Sequence, residues 1–374
     1  MNYKLASLIV LSTITAEAHA QSSVTLYGII ATGIEYVSNE GGHSAVAMVS
    51  GANQNNRWGL RIVEDLGGGL KAVATLENGF SSTTGELGQG GRMFGRQAFV
   101  GLSSTQYGTL TAGRQYDVLF DYLDRIEPQA LGPGLGTSVG SNDNVEGNFR
   151  YNNSIKYRSP NFFGLEFEAL YAFSNKAGAF QQNRAFSTGI NYAKGPVQFA
   201  VAYLDLDYPG DVLNASGAVT DDYSGAPFAL FHSSPLNSQV GVRRQRVLAT
   251  GGEYDFGRVQ LAGMYSNVQY SYLDHTSLHL NNADAIAVYD VTPALFVSAA
   301  YLYTNGVYGG IVASSHWNTV QAAIDYFLSK RTDVYLYADY IRASGPLAEA
   351  VTFLNAPSSS NNQTAVLAGI RHKF

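Results

Sequence analysis

The chain contains no cysteine, few charges and, past its first twenty residues, no long apolar run. Without cysteine, no disulfide framework can support the fold. Charged residues make up 14% of the 374 positions, well below the roughly one quarter of an ordinary soluble domain. No apolar stretch approaches the ~20 residues of a membrane-crossing helix, which excludes a helical transmembrane segment. The net charge is −6 and no basic block occurs, which argues against a nucleic-acid partner. There is also no composition break and no Pro- or Ser-rich linker, although the length would suit two domains. What is abundant is glycine, at 40 residues, and tyrosine, at 25.

The first residues read MNYKLASLIVLSTITAEAHA. Lys4 supplies a positive start, Leu5 to Ile14 a short apolar core, and Ala18-His19-Ala20 a small-x-small cleavage site. The expectation is a secretory signal peptide over 1–20, leaving a mature unit over 21–374.

In that unit the dominant signal is a period of two. In GLEFEALYAF (164–173), Leu165, Phe167, Ala169, Tyr171 and Phe173 share a face, opposite Glu166 and Glu168. TDVYLYADYI (332–341) and PVQFAVAYLDL (196–206) alternate in the same way. Such segments of about ten residues have the length of a tilted strand crossing a bilayer, one face toward lipid and one toward water. The connections alternate too. Short ones such as SPNFFG (159–164) and SKRTD (329–333) lie between long polar ones: 38–55, 81–91, 118–149, 174–184, 207–242, 273–281, 305–316 and 343–363. Seven short turns and eight long loops imply sixteen strands. The expected fold is all-β, a 16-stranded antiparallel transmembrane barrel with short periplasmic turns and long extracellular loops. A barrel of that size encloses a water-filled channel. The closing strand AVLAGIRHKF (365–374) alternates to its end, placing Phe374 in the aromatic girdle at the membrane interface.

Several stretches carry a resemblance. QSSVTLYG (21–28), RWGLRIVEDLGGGLKA (57–72), GRMFGRQAFVGLSSTQYGTLTAGRQYD (91–117), NSIKYRSPNFFGLEFEALYAF (153–173) and the terminal GIRHKF together resemble the trimeric general porins of Gram-negative bacteria, in particular the beta-proteobacterial type. The resemblance implies a homotrimer in the outer membrane, among its lipid and lipopolysaccharide. It also implies an inward-folded third loop that narrows each pore, and passive diffusion of small hydrophilic solutes and ions without a cofactor. Members often place an Asp toward the pore in strand one; here Ala31 stands there.

The chemistry of such a neck is electrostatic. The loop over 118–149 and its entrance carry Asp117, Asp121, Asp124 and Glu127, with Asp143 and Glu146 further on. Alternation turns Arg57 and Arg61 inward, opposite Trp58, Leu60 and Ile62. It sets Arg92 and Arg96 on one face, opposite Met93 and Phe99, and it turns Arg150, Lys156 and Arg158 inward. By resemblance the constriction arginines fall at Arg57, Arg92 or Arg96, and Arg150. Because the arginines stand on strands and the acids on a loop, a weak anion preference is expected. Gly28, Gly95 and Gly101, read as outward, suit close subunit packing.

Other functions find less support. No HExxH or phosphate loop occurs, so no enzyme is indicated. His275 and His279 would need a helix to aim both rings at a metal, and that stretch reads as strand end and loop. A substrate-specific channel would line its pore with aromatic residues, and only Tyr27, Tyr335 and Tyr337 are expected inward. The 207–242 loop remains a candidate surface for an adhesin or receptor role.

Overall fold

The computed structural model describes residues 22–51, 53–127, 137–224 and 230–374. The signal peptide expected over 1–20 lies outside the described residues. Among the described residues, seventeen strands form one antiparallel sheet that closes on itself. They are β1 (Ser23–Glu40), β2 (His43–Ser50), β3 (Arg57–Gly67), β4 (Leu70–Gly79), β5 (Gln97–Ser104), β6 (Gly108–Gln115), β7 (Tyr151–Arg158), β8 (Leu165–Ala172) and β9 (Arg184–Lys194), followed by β10 (Val197–Asp207), β11 (Val242–Asp255), β12 (Val259–Tyr272), β13 (Ser277–Thr292), β14 (Leu295–Gly309), β15 (Ala313–Ser329), β16 (Thr332–Ser344) and β17 (Asn362–Lys373). β2 and β3 are two pieces of one stave. β1 pairs with β3 through Ser23–Ile29 and with β2 beyond Thr32. Counting β2 and β3 as one of the 17 strands leaves a 16-staved barrel.

Closure follows from backbone chemistry. An open edge in hydrocarbon would strand N–H and C=O groups at several kcal/mol each. β17 therefore returns to β1, in register from Ile29↔Lys373 to Val37↔Ala365. Phe374 extends the ladder, since Gly28 and Phe374 exchange both N–H···O bonds at 3.0 Å. Gly28 has no side chain because the Phe374 ring occupies that space; a Cβ there would sit 2.3 Å from Cζ of Phe374.

This gives a different account of the three glycines read as subunit-packing sites. Gly28 is covered by the chain's own last residue. Gly95 precedes β5 and faces Gln89 and Arg92, and Gly101 abuts Leu110 and Thr111 of β6.

The outer face is apolar where alternation places it: Leu165, Phe167, Phe186, Ile190, Phe199 and Val201 are exposed, while Ala185, Ala200 and Ala202 between them are buried. Three expected loops are mostly strand. His43–Ser50, Ser277–Asn281 and Asn305–Gly309 continue the ladder, joined by tight turns such as Gly41-Gly42, both at positive φ. In Ser277–Asn281, Leu278 and Leu280 point into the barrel while His279 and Asn281 face out. Polar residues on the outer face at the strand tops leave only one apolar face, and the polarity reads as loop.

The inward face of β9 to β12 is a second departure. Ala185, Ala200, Ala202, Leu204, Leu206, Val247, Ala249 and Val268 are buried there, in one cluster with Val118, Leu119, Leu123 and Ile126. A wet lumen would not select this wall. It is dry because an internal segment covers it.

Candidate functional site

Past β6 the chain turns into the barrel. A helix over Val118–Leu123 begins at Asp117, whose carboxylate accepts from the Phe120 N–H at 2.9 Å. A 3-10 turn over Asp124–Ile126 follows. The helix lays Val118, Leu119 and Leu123 on the apolar wall of β9 and β10. Gly189 of β9 makes the close approach; a Cβ there would meet Val118 Cγ1 at 2.8 Å. Burial of that apolar face holds the segment inside, and its other side faces β3 and the approach to β5.

The acids of this segment divide by partner. Asp117 is fully buried, capping the helix and accepting from Tyr151 Oη at 2.8 Å and Asn144 Nδ2 at 3.1 Å. Burial raises its carboxyl to about 6. It is a structural cap and does not line the neck. Asp121 bonds Lys156 and lies 3.5 Å from Arg158, both of which also contact buried Glu168. Burial pushes the Asp121 carboxyl up, but Lys156, Glu168 and Arg158 together outweigh it and hold the group below its ordinary value. Asp121, Lys156 and Arg158 thus anchor the helix to β7 and β8, so they are spent on each other and are not free charges of the neck.

Asp124 and Glu146 do face the neck. They share one gap with Arg57, Arg96, Asn53, Asn55 and Phe120. Glu127 is buried behind them with neither carboxylate oxygen hydrogen-bonded. Burial first, then the neighbouring Asp284, Asp143 and Glu146, push its carboxyl well above the usual range. Burial does the same to Glu146. Asp143 is held by Ser266 at 2.6 Å.

Opposite stand the cations. Arg57 makes no side-chain hydrogen bond or ion pair among the described residues. Arg96 is buried, donating from Nε to Glu77 at 2.8 Å, and Glu77 also accepts from Tyr27 Oη at 2.9 Å. Two guanidiniums lie over the Tyr116 ring, Arg96 at 5.8 Å and Arg150 at 4.7 Å, and the ring stacks on Phe120 at 3.8 Å. Arg150 donates to Tyr116 Oη at 2.5 Å and to the Asn148 carbonyl at 3.0 Å. Cation–π contacts of this kind fix the planes of the two guanidiniums without neutralising them. Arg61 lies 5.0 Å over the Tyr27 ring, nearer the periplasmic end.

Two positions depart from the alternation argument. β5 begins at Gln97, so residues 92–96 are not strand. Phe99 pairs with Thr75, which pairs with Arg61, so all three face the lumen. Arg92 turns away from Arg57 and Arg96 to bond Asp221 at 2.5 Å and Asp222 at 3.4 Å. Ala31 is fully buried, beneath Asn56, which accepts from its N–H, and Ser82, which donates to its carbonyl.

Sequence reasoning missed Glu77, Tyr116, Arg114 and the Asp221-Asp222 pair. Glu77 alternates with Thr75 in β4 and was within reach of the same period-two argument. The others depend on loops folding back. The 207–242 loop, considered as an outward surface, packs inward: Tyr223 donates to Gln245 Oε1 at 2.8 Å and stacks on His232 at 3.7 Å, while Phe231 meets Trp317 at 5.7 Å.

Comparison with known proteins gives a consistent picture. Residues 6–346 match the profile of the Gram-negative porin family. An outer membrane porin protein of Bordetella pertussis is 32% identical over 422 aligned positions, covering 100% of both chains. Among solved structures, an anion-selective porin from Comamonas acidovorans superposes with a TM-score of 0.76 at 23% identity, covering 95% of this chain and 100% of the other. An outer membrane protein of Vibrio cholerae, solved in its trimer form, gives 0.65 at 15% identity, covering 94% and 99%.

Proposed function

This chain belongs to the Gram-negative porin family and is an outer-membrane channel for passive diffusion, and on that basis we propose that its neck favours small anions. The carrying observation is the imbalance at the gap. Among the described residues neither Arg57 nor Arg150 is hydrogen-bonded to a carboxylate, and Arg96 bonds Glu77. On the facing segment, burial keeps Glu127 and Glu146 protonated well above the ordinary glutamate range. The arginines stay charged at any working pH. Positive charge therefore dominates the neck, and an anion crossing it loses less favourable interaction than a cation does. The neck admits solutes without a covalent step and needs no cofactor.

The Comamonas acidovorans neighbour, an anion-selective porin, supports the same sign. We further propose a homotrimer, in keeping with the trimer form of the Vibrio cholerae neighbour, seated among outer-membrane lipid and lipopolysaccharide. The test is the reversal potential of single channels in a planar bilayer under a KCl gradient. A chloride-favouring value is expected. A strongly potassium-favouring value overturns the reading.

A further inference from the structure

The loop between β10 and β11 crosses the extracellular mouth to the far wall. Asp221 accepts from both Nη atoms of Arg92, at 2.5 and 2.8 Å. Asp222 lies 3.4 Å from Arg92 and takes the Arg114 guanidinium on its other oxygen. Arg114 is fixed from behind, donating from Nε to the Gly95 carbonyl at 2.8 Å and from Nη1 to Asn152 Oδ1 at 2.5 Å. The loop is seated on its way across: the Asn152 N–H bonds the Ala218 carbonyl at 2.9 Å, and Asn153 Nδ2 bonds the Ser216 carbonyl at 2.7 Å. Two guanidiniums and two carboxylates thus meet above the neck. Bidentate pairing of this kind favours both charged forms, and Arg92 lifts none of the burden from the deeper arginines.

We propose that Asp221 and Asp222 are selectivity-determining residues of the channel. They cancel Arg92 and Arg114 at the mouth, so the uncompensated positive charge an entering ion meets is confined to the neck. Without the two carboxylates, the mouth would present two bare guanidiniums in series with the neck and would concentrate anions before they reach it. The inference rests on the channel reading above, but it concerns the change produced by the loop acids and not the sign of the unaltered channel.

The experiment compares the full-length protein with D221N/D222N, and with a quadruple variant that adds R92Q/R114Q, in bilayers at about 0.1 M KCl. Two charges exposed about 10 Å from the ion path, screened over about one Debye length, should raise the chloride-to-potassium permeability ratio of D221N/D222N about threefold. The quadruple variant carries the same net charge as the unaltered mouth and should return the ratio to its starting value. If the double variant inserts no channels, D221N alone gives a smaller shift of the same sign. An unchanged ratio in the double or single variant, or a conductance gain without a ratio change, overturns the proposal. The ratio of the unaltered protein tests the anion reading separately.

Discussion

Replacing Arg57 by Gln isolates the charge of the neck from its architecture. Most other cations of the site are bonded to a partner, so removing them also loosens something. Arg57 shares the gap with Arg96, Asp124 and Glu146 but makes no hydrogen bond or ion pair among the described residues. Its removal therefore changes a charge and little else. A unit charge about 5 Å from a passing ion in water is worth about 0.8 kcal/mol. Losing it makes anion passage harder and cation passage easier, and salt screening at about 0.1 M trims the combined effect to about 1 kcal/mol. The chloride-to-potassium permeability ratio of R57Q should fall about fivefold, read as reversal potential in a KCl gradient. The heat needed to unfold the barrel in detergent should stay the same. A ratio unchanged within error, at unchanged folding, would refute the claim that the Arg57 charge acts on ions in the neck.

Other perturbations test other parts. Lys156→Met leaves Asp121 and Glu168 buried with only Arg158 between them, and breaking such a buried pair costs about 3–5 kcal/mol; the anchored helix should loosen, seen as noisier single-channel current and faster proteolysis of the 118–149 segment. Raising the pH should weaken the anion preference, because Glu127 and Glu146 have carboxyls raised above their unfolded values and take up charge only above the ordinary glutamate range. The folded state binds those protons more tightly, so the stability of this seat is full below the ordinary glutamate range and is lost as pH climbs toward the raised values. Glu146→Gln should flatten that dependence, and an equally steep profile would contradict it. Gly28→Val places a Cβ where the Phe374 ring lies; overpacking of this kind costs about 1–3 kcal/mol, and the yield of heat-modifiable folded barrel should drop.

The barrel could be read from the chain because its rule is local. Successive side chains of a strand point to opposite faces, so Leu165-Glu166-Phe167-Glu168 declares one lipid face and one inner face without knowledge of any partner. Closure follows from the cost of an unpaired edge in hydrocarbon, and the inward direction of Arg57 and Arg61 follows from Trp58, Leu60 and Ile62 lying between and beyond them. The same rule failed where the chain was not strand. Arg92 and Arg96 precede β5, so counting in twos did not carry across to Phe99, which faces the lumen. It also failed at the strand tops, where the outer face stops being apolar and His279 and Asn281 look like loop.

The site itself was settled by tertiary structure. Six acids around one loop are equivalent in sequence, yet the fold makes Asp117 a helix cap, Asp121 an anchor, Glu127 and Asp143 buried groups, and leaves Asp124 and Glu146 at the gap. Arg92 and Asp221 are 129 residues apart, and no periodicity links them; they meet because a loop from one wall crosses to the other. Sequence by itself determined the sheet and its two faces, since each depends on neighbours a residue or two away, and the cost of an unpaired edge in hydrocarbon then requires closure. Only the folded chain decided which charges cancel and which remain to act on an ion, because cancellation depends on distances of a few ångström between segments that the chain order leaves far apart.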